Sequence, residues 1–566
     1  MLGLNSNAQS FGRFVLGGRH MASAGHYAAA HAAFLILEAG GNAVDAGVAG
    51  GLVLGIVQSD IVNFAGVAPI MIRMANTGRV VTLDGLGVWP QRADVQYFRD
   101  ACGGRIPPGL LRTVTPAAPS AWITALRDHG TMRFADVAQA ALVLARDGFP
   151  VHPTMAEFVS AKANDYRQFP LNTALFLPDD TPVKVGDHFV QTELAGTIQH
   201  LIDVEQAAGR HGREAALEAV HDAFYAGDIA RTISDYHAAE GGWLSYDDLA
   251  NFRVRYEEPV LTRWKGLDVY TCGPWCQGPV LGQILAILDG SGLETFAHNS
   301  ADYIHLVTEA MKLAFADREA FYGDPRFVDV PLAQLLSERY AAQRRSAIDM
   351  KKAAAAMPAP GTPIGHGAQG PSPDTSYIAV IDRHGNTFSA TPSDTSYDTP
   401  LIPGLGLCPS SRGSQSFTAP DHPSCVGPGR RPRLTPNPCI AVQEDGSVMA
   451  FGTPGGDVQT QAMLQFILNI TLHGMDLGRA IDAPRFATYS FPSSFEPHEY
   501  WPGRLSIENR IDSAVRSDLA ARGHQIIEWP AMTAMAGAIC AVSRDASGRT
   551  LIGSADVRRA SHTVGW

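Results

Sequence analysis

Two β-rich runs between residues 374 and 391 constrain the fold of this chain more than any other feature. They stand on either side of the turn-forming segment Asp382-Arg-His-Gly-Asn386, a pattern that predicts a β-hairpin. In the first run, apolar residues occupy both faces of the expected strand. A strand of that kind is typical of a sheet that is covered on both sides. The sequence therefore predicts a layered α/β protein.

The segment that precedes the hairpin has a very different composition. Residues 353–373 are dominated by Ala, Pro and Gly and show no apolar periodicity. We expect a mobile surface linker at about 353–374, because such a segment cannot present a continuous apolar face. The chain has 56 glycines and 37 prolines among its 566 residues, an unusual abundance of turn-forming residues. The linker contains part of this excess.

Two further elements combine a glycine pair with a helix. An Ala-rich helix that begins near Gly25 is expected to end at Gly40-Gly41, and Asn42 is expected to cap the helix that follows. Later in the chain, the Gly-Gly turn of residues 452–457 precedes a helical pattern, which Asp457 is placed to cap. A Gly-Gly turn at the start of a helix exposes free backbone amides, which can bind negative charge.

The rest of the chain supports coarser predictions. Strands are expected at 70–74 and 80–84, and a helical stretch is expected through 120–147. Residues 196–348 are expected to be mostly helical, with turns near Gly241 and Pro274.

Charge and hydropathy exclude several classes of protein. The chain carries 44 Lys and Arg against 56 Asp and Glu, a formal net charge of −12, whereas nucleic-acid-binding proteins concentrate basic residues on one face. The longest uncharged apolar run, 46–57, is well short of the roughly 18 residues that span a bilayer. The first residues lack the basic and apolar regions of a secretory signal. We therefore expect no nucleic-acid partner, no membrane association and a cytoplasmic location.

The seven cysteines do not form the pattern of a disulfide framework. The closest pair, Cys272 and Cys276, has no second Cys or His pair nearby. Buried thiols explain this pair better than a zinc site does. No dense carboxylate cluster or suitably spaced histidines suggest another ion, so we expect neither a metal nor a cofactor.

The junction between the linker and the hairpin suggests a specific chemistry. If the chain itself cleaves the bond between Asp374 and Thr375, Thr375 gains a free α-amine beside its hydroxyl. That amine can act as the base for the side-chain oxygen, as in enzymes with an N-terminal nucleophile. Many strands begin with threonine, so an ordinary structural residue is the alternative at this point.

A series of short motifs follows one order along nearly the whole chain. They are Gly40-Gly-Asn-Ala-Val-Asp-Ala46, Phe224-Tyr-Ala-Gly-Asp-Ile-Ala230, Gly241-Gly-Trp-Leu-Ser-Tyr-Asp-Asp-Leu249, Phe315-Ala-Asp-Arg-Glu-Ala-Phe-Tyr-Gly-Asp-Pro325, Thr375-Ser-Tyr377, Gly385-Asn386, Thr453-Pro-Gly-Gly456, Gln465-Phe-Ile-Leu-Asn469 and Ala483-Pro-Arg-Phe486. With these motifs the chain resembles the γ-glutamyltransferase (γ-glutamyltranspeptidase) family of N-terminal-nucleophile (Ntn) hydrolases, as a divergent member.

This resemblance implies a fold and a maturation step. The fold would be a four-layer αββα sandwich, with two central and mostly antiparallel sheets in one structural domain. The chain would be a zymogen that cleaves itself into a large piece, 1–374, and a small piece, 375–566. The two pieces would stay together as a heterodimer, either alone or as a dimer of heterodimers, and the substrate would be a small-molecule amide.

The resemblance also implies the catalytic residues. Thr375 falls on the family's threonine nucleophile, and the cleaved bond is that between Asp374 and Thr375. Ser393 falls on a threonine whose hydroxyl supports the nucleophile. Gly455 and Gly456 fall on the glycine pair whose amides stabilise the tetrahedral oxyanion.

The positions that recognise the substrate depart from the family's pattern. The arginine that grips the α-carboxylate of a glutamyl group aligns with Leu86, and an asparagine aligns with Thr395. The acidic pair that binds the α-ammonium aligns with 411–417, where no carboxylate remains, and a serine pair becomes Leu434-Thr435. Without these partners, both charges of a zwitterionic head group would be poorly compensated. In a buried site this would weaken binding by on the order of several kcal/mol.

Two large side chains near these positions need an interpretation. Arg412 stands where the family has acids, and we hypothesise that it binds a carboxylate or carbonyl of a different acyl group. An arginine in a surface ion pair is the alternative. Trp89 is expected in the core rather than in an acyl pocket.

The sequence thus predicts an autoprocessing amidohydrolase or acyltransferase that works through an acyl-Thr375 intermediate. Its substrate would be a small acyl amide other than a standard γ-glutamyl compound, bound with the help of Thr395, Arg412 and Thr435. The alternatives are a true γ-glutamyltransferase or glutathione hydrolase, a β-lactam side-chain acylase, and an unprocessed relative that binds small molecules without catalysis.

Overall fold

The computed structural model describes residues 14–361 and 375–566. The helices are α1 (Tyr27–Glu38), α2 (Ala43–Val57), α3 (Val95–Ala101), α4 (Ala118–His129), α5 (Phe134–Asp147), α6 (Pro153–Ala161), α7 (Ala163–Tyr166), α8 (Pro170–Phe176), α9 (Thr192–Ala208), α10 (Arg213–Tyr225), α11 (Asp228–Ala239), α12 (Tyr246–Ala250), α13 (Gly278–Leu288), α14 (Ala301–Phe321), α15 (Leu332–Leu335), α16 (Glu338–Arg345), α17 (Val458–Thr471), α18 (Leu477–Asp482) and α19 (Ser513–Ala521).

The strands alternate with these helices along the chain. They are β1 (Val15–Gly17), β2 (Met21–Ala24), β3 (Ile70–Arg73), β4 (Val80–Leu83), β5 (Phe149–Pro150), β6 (His188–Phe189), β7 (Tyr256–Glu257), β8 (Val260–Trp264), β9 (Leu267–Thr271), β10 (Ile378–Ile381), β11 (Thr387–Ala390), β12 (Cys439–Gln443), β13 (Val448–Gly452), β14 (Phe486–Thr488), β15 (Arg504–Glu508), β16 (Gln525–Trp529), β17 (Cys540–Arg544), β18 (Leu551–Ala555) and β19 (His562–Gly565).

Two seven-stranded sheets form the centre of the fold, and all neighbouring strands within them are antiparallel. The first sheet has the order β1-β18-β17-β13-β12-β9-β8, and the second has the order β19-β2-β10-β11-β3-β4-β7. Between them lies an apolar layer that includes Met71, Tyr377 and Ile440. Helices α1 and α2 cover the outer face of the second sheet, and α13 and α17 cover that of the first. The predicted four-layer αββα sandwich is confirmed.

The hairpin predicted around residues 382–386 is formed by β10 and β11. Ile378 pairs with Ala390 and Ile381 pairs with Thr387 in an antiparallel register. Asp382 closes the turn, because its side chain accepts hydrogen bonds from the backbone amides of His384 (2.8 Å) and Asn386 (3.0 Å). Both strands are buried along their whole length since they lie in the middle of the second sheet.

The predicted pair of small-residue helices packs closely on this hairpin. Helix α1 ends before Gly40, whose φ of +96° suits a glycine, and Asn42 caps α2 through a capping box with Asp45. A Cβ atom on Gly47 would lie 2.1 Å from the ring of Phe388 in β11. Only a residue without a side chain allows this approach, which explains the high density of glycine in α2.

Two coarse predictions are confirmed, and the structure adds details to both. Residues 196–348 are mostly helical, but the strands β7, β8 and β9, which were not predicted, occupy most of 256–271 and complete the edges of the two sheets. The stretch 120–147 is two helices, α4 and α5, separated after His129. The predicted linker at about 353–374 falls largely on 362–374, outside the described residues.

Residues on either side of the linker contribute strands to both sheets. The first sheet takes β1, β8 and β9 from the residues before it and β12, β13, β17 and β18 from those after it. The second sheet is mixed in the same way, with β10, β11 and β19 from the later residues. In the part of the chain that the structure describes, no helix is both long enough and apolar enough to span a bilayer.

Candidate active site

Thr375 lies three residues before β10 and is completely buried. Its φ is +130°, a region that β-branched residues rarely adopt, and such strain costs on the order of 1–3 kcal/mol. Strained residues of this kind persist only where their surroundings fix them. Here Arg559 donates to the carbonyl oxygen of Thr375 at 3.2 Å, and the amide of Ser376 donates to Pro392 at 3.0 Å.

Ser393 stands directly beside the hydroxyl of Thr375. The two side-chain oxygens, Thr375 Oγ1 and Ser393 Oγ, are 2.9 Å apart, a hydrogen-bond distance. Ser393 is fixed by paired backbone bonds with Val67, at 3.0 and 3.1 Å. The structure therefore brings together the two hydroxyl residues that the sequence predicted as nucleophile and support.

The Gly455-Gly456 turn joins β13 to α17 and has φ values of +129° and +55°. Such values favour glycine at both positions. Among the described residues neither of the two amides donates a hydrogen bond to a protein atom. Both amides are therefore available to an acceptor atom of a ligand. The carbonyl of Gly456 accepts from Gln277 Nε2 at 2.9 Å, which fixes the turn.

A residue that the sequence did not predict places this turn at the nucleophile. Gln459, in the first turn of α17, donates from its Nε2 to Thr375 Oγ1 at 3.2 Å, while its backbone amide donates to Gly456 at 3.2 Å. The glycine pair and Thr375 are thus connected through one residue. Gln459 carries no sequence signal of its own, since a glutamine on a buried helix face is usually a packing residue.

The prediction that Asp457 caps α17 is wrong, because its side chain does not bond the helix amides. Instead it accepts from Ser494, through the backbone amide at 2.8 Å and the hydroxyl at 2.7 Å, and forms a buried ion pair with Arg318. Arg318 also pairs with Glu319, to which Arg433 donates at 2.7 Å. Burial would raise the pKa of Glu319, but Arg433 and Arg318 hold it well below its usual range.

Arg412 is buried, so the alternative of a surface ion pair is wrong. Its Nη2 donates to Ser393 Oγ at 2.7 Å, and its Nε lies 3.7 Å from a carboxylate oxygen of Asp394. The guanidinium also lies 5.6 Å from the ring centroid of Phe495. Arg412 thus contacts Ser393, which in turn contacts Thr375.

Asp394, which was not predicted from the sequence, is the carboxylate nearest to Arg412 among the described residues. It accepts hydrogen bonds from the hydroxyls of Ser410 and Ser411, both at 2.5 Å, and from the amide of Thr395 at 3.1 Å. Burial raises the pKa of Asp394, and Arg412 and the serine donors oppose that shift. This network fixes the loop that carries Ser393.

The other two predicted substrate residues lie on either side of this network. Thr395 Oγ1 donates to Asp398 at 3.1 Å, and Asp398 forms an ion pair with Arg112 at 3.0 Å. Thr435 Oγ1 accepts from Gln415 Nε2 at 2.9 Å. Asp398 and Arg112 also line an open cavity of about 530 Å³, together with Tyr397, Ser414 and Phe495.

The positions that align with the family's arginine and with one of its two serines are apolar and adjacent in space. Leu86 and Leu434 belong to one small buried cluster with Cys272 and Cys276. Burial raises the pKa of Cys272 well above its ordinary value, which favours the neutral thiol. Trp89 is fully buried, as predicted, and donates to Ser416 Oγ at 2.9 Å.

Potential metal ligands lie elsewhere in the described residues. His305, Glu309 and His524 have ligand atoms within 4.8 Å of one another. Both carboxylate oxygens of Glu309 already have partners, since Lys312 donates at 2.7 Å and the amide of Ala354 at 3.1 Å. Glu309 and His305 thus have hydrogen-bond partners without an ion, since His305 also bonds the ring of His524 and the carbonyl of Asp349, both at 2.9 Å.

Comparison with known proteins identifies the family. The family described as gamma-glutamyltranspeptidase matches residues 29–566. The chain belongs to the γ-glutamyltranspeptidase family. It is accordingly an N-terminal-nucleophile hydrolase, a member of a family of self-processing enzymes.

Relatives of this chain within the γ-glutamyltranspeptidase family are named for different activities. The Acylase ACY 1 proenzyme of Pseudomonas sp. (strain SE83) is 32% identical over 552 residues, 95% of this chain and 92% of the relative. The Glutathione hydrolase proenzyme of Escherichia coli (strain K12) is 29% identical over 517 residues, 88% of this chain and 84% of the relative. The crystal structure of cephalosporin acylase from Bacillus halodurans superimposes with a TM-score of 0.84 at 26% identity, and the alignment covers 100% of this chain and 99% of that one.

Proposed function

We propose that this enzyme cleaves itself before Thr375 and then hydrolyses or transfers acyl groups from small amides through an ester on Thr375. One observation carries the proposal. Thr375 Oγ1 lies 2.9 Å from Ser393 Oγ, and Gln459, which contacts the Gly455-Gly456 turn, donates to the same oxygen. A nucleophile, a supporting hydroxyl and candidate oxyanion donors therefore meet at one buried point.

Self-cleavage would supply the base that the site needs. Breaking the bond between Asp374 and Thr375 frees the α-amine of Thr375, which can take the proton from its own hydroxyl. The strained φ of Thr375 supports this step, because cleavage would remove one of the two peptide groups that hold it. The two pieces would remain a heterodimer, since each contributes strands to both sheets.

Amide cleavage would then follow in two halves. Thr375 Oγ1 attacks the carbonyl carbon, its proton passes to the α-amine, and the carbonyl oxygen takes up negative charge against the amides of Gly455 and Gly456. One such donor is worth about 3 kcal/mol of barrier. The amine leaves with the proton, and water or a second amine resolves the ester.

The acyl group would differ from γ-glutamyl. An α-carboxylate needs a cation, whereas Leu86, at the position that aligns with the family's arginine, lies in an apolar cluster with Leu434. Arg412 is the cation that approaches Thr375 Oγ1 through the hydroxyl of Ser393, to which it donates at 2.7 Å. A carbonyl or carboxylate bound by Arg412 would therefore lie close to the scissile carbonyl, with Thr395 and Thr435 as further polar contacts.

A second candidate function is the removal of an acyl side chain from a β-lactam. The names of two relatives, Acylase ACY 1 and cephalosporin acylase, favour it over glutathione hydrolysis. The open cavity of about 530 Å³ beside Asp398 is lined by Phe495, the ring next to Arg412, but not by Thr375, so it would receive only the far end of a bulky leaving amine. This candidate differs from the first only in the size of that amine.

Intact mass and a denaturing gel test the maturation step directly. We expect the purified wild type to give two pieces and Thr375→Ala to remain a single 60.4 kDa chain. An uncleaved wild type that is not acylated would contradict the proposal. A panel of γ-glutamyl anilides, simple N-acyl anilides and N-acyl β-lactams then tests specificity, and fast γ-glutamyl turnover would refute the inference from Leu86.

A further inference from the structure

Within 14–361 and 375–566, Gln459 is the one residue outside the predicted catalytic set whose side-chain nitrogen contacts Thr375 Oγ1. Its Nε2 lies 3.2 Å from Thr375 Oγ1, and both residues are completely buried. We propose that Gln459 is a catalytic residue that stabilises negative charge on Thr375 Oγ1 whenever this oxygen attacks or leaves a carbonyl carbon. The inference rests on the proposed function, since it assumes that Thr375 is the nucleophile.

The orientation of the Gln459 amide is fixed by its other end. The backbone amide of Asn437 donates to Gln459 Oε1 at 3.3 Å. An amide turned by 180° would place its NH₂ group against that N–H, which is a contact between two donors. Asn437 is itself anchored, because its Oδ1 accepts from the amide of Cys272 at 3.1 Å. The group that faces Thr375 is therefore a hydrogen-bond donor.

The position of Gln459 in the chain couples it to the oxyanion turn. Its backbone amide bonds the carbonyl of Gly456, which Gln277 holds from the other side. Five consecutive residues, 455–459, thus supply two amides that donate to no described protein atom and a donor to the nucleophile. One rigid segment can stabilise charge on both oxygens of the tetrahedral intermediate.

The chemistry explains why a donor at Oγ1 helps. When the Oγ1–C bond forms, the hydroxyl proton moves to the α-amine, and when the ester is resolved the C–Oγ1 bond breaks with its electron pair on Oγ1 before a proton returns. Oγ1 carries more negative charge in these transition states than as a hydroxyl or an ester oxygen. A hydrogen bond to a charged acceptor is stronger than one to a neutral acceptor, so the Gln459 donor stabilises the transition states more than the ground states.

The test compares Gln459→Met with Gln461→Met. Methionine keeps the length of the side chain and removes the donor. Gln461 lies on the same helix, is equally buried, and bonds only backbone groups, among them the carbonyl and amide of Thr488 at 3.1 and 2.9 Å. On the fastest anilide of the panel, we expect Gln459→Met to lower kcat by about 10- to 100-fold with KM changed less than about twofold. Gln461→Met should lower the melting temperature and keep kcat.

Each outcome decides between catalysis and packing. A folded, cleaved Gln459→Met with wild-type kcat would overturn the inference, and so would an equal loss of kcat in Gln461→Met. If Gln459→Met does not fold, Gln459→Glu keeps the shape of the side chain and replaces the donor by an acceptor, and the same criterion applies to it. A wild type without turnover would refute the proposed function itself, and this result is visible before any Gln459 variant is measured.

Discussion

Leu86 and Leu434 lie in the same buried apolar cluster, although they are far apart in the sequence. By resemblance, these two leucines occupy positions where the family has a cation and a hydroxyl that hold a glutamyl head group. Both polar groups are therefore replaced at a single place in the fold. Because both replacements occur at one place, they support the proposal that the site binds a different acyl group rather than that it has lost its function.

Restoring the cation alone should fail. Leu86→Arg would bury a guanidinium beside Leu434 and Trp275, and the nearby carboxylates of Asp84 and Glu257 already pair with Arg431. We therefore expect it to lower the free energy of unfolding by roughly 3–5 kcal/mol. Leu86→Met, of similar volume, should cost less than about 1.5 kcal/mol. Urea unfolding monitored by circular dichroism measures both. A Leu86→Arg enzyme with wild-type stability and rapid γ-glutamyl anilide turnover would contradict this account.

Ser393 offers a direct test of the catalytic pair. Ser393→Ala removes the oxygen that lies 2.9 Å from Thr375 Oγ1 and accepts from Arg412 at 2.7 Å. We expect self-cleavage and anilide turnover to slow by about 10- to 100-fold, on the scale of one lost donor at a reacting oxygen. Ser393→Thr restores the residue that the family resemblance places there and should retain most of the rate. A gel time course measures cleavage, and equal rates in Ser393→Ala and the wild type would exclude a role for this hydroxyl.

Features encoded by neighbouring residues could be predicted from the sequence. The β10–β11 hairpin, the Asn42 cap and the Gly-Gly turn each depend on a few consecutive side chains and on local backbone geometry. The family resemblance added Thr375 and Ser393, which the fold then brought within hydrogen-bond distance.

Features that depend on distant residues could not be predicted. Asp457 looked like a helix cap because of its position before α17, but Arg318, 139 residues earlier, takes its carboxylate. Gln459 acquires its role only from the contact with Thr375, and Asp394 only from the loop at Ser410. Periodicity and spacing in the sequence do not predict these contacts, because they form only when the fold brings distant residues together.

The buried ion pair beneath the Gly-Gly turn should be important for stability. Arg318→Met would leave the carboxylates of Asp457 and Glu319 without their shared partner, and we expect a loss of about 3–5 kcal/mol in the free energy of unfolding. Arg516→Met, which breaks a solvent-accessible pair with Glu528, should cost at most about 1 kcal/mol. Urea unfolding curves of the two variants test the contrast. Equal losses would show that the buried network has no special weight.

His237 should make the enzyme sensitive to acid. Its ring is fully buried, and neither ring nitrogen has a hydrogen-bond partner among the described residues. Burial lowers the pKa of His237 to about 3, so the folded protein keeps the ring neutral while the unfolded chain takes up a proton below a pKa of about 6.5. Because the unfolded state binds more protons in that range, stability falls as the pH decreases from about 6.5 towards 3.

Replacing this histidine should therefore stabilise the protein most at low pH. Relative to the wild type, His237→Leu should gain about 1.4 kcal/mol more at a pH of about 5.5 than at about 8, since only the wild-type unfolded chain is stabilised by protonation of this ring. The variant also removes two unsatisfied ring nitrogens from the core, which should keep its stability at pH 8 equal to or above that of the wild type. Urea unfolding at both pH values gives the difference, and parallel pH dependence in the two proteins would show that the folded state accommodates a charged ring at His237.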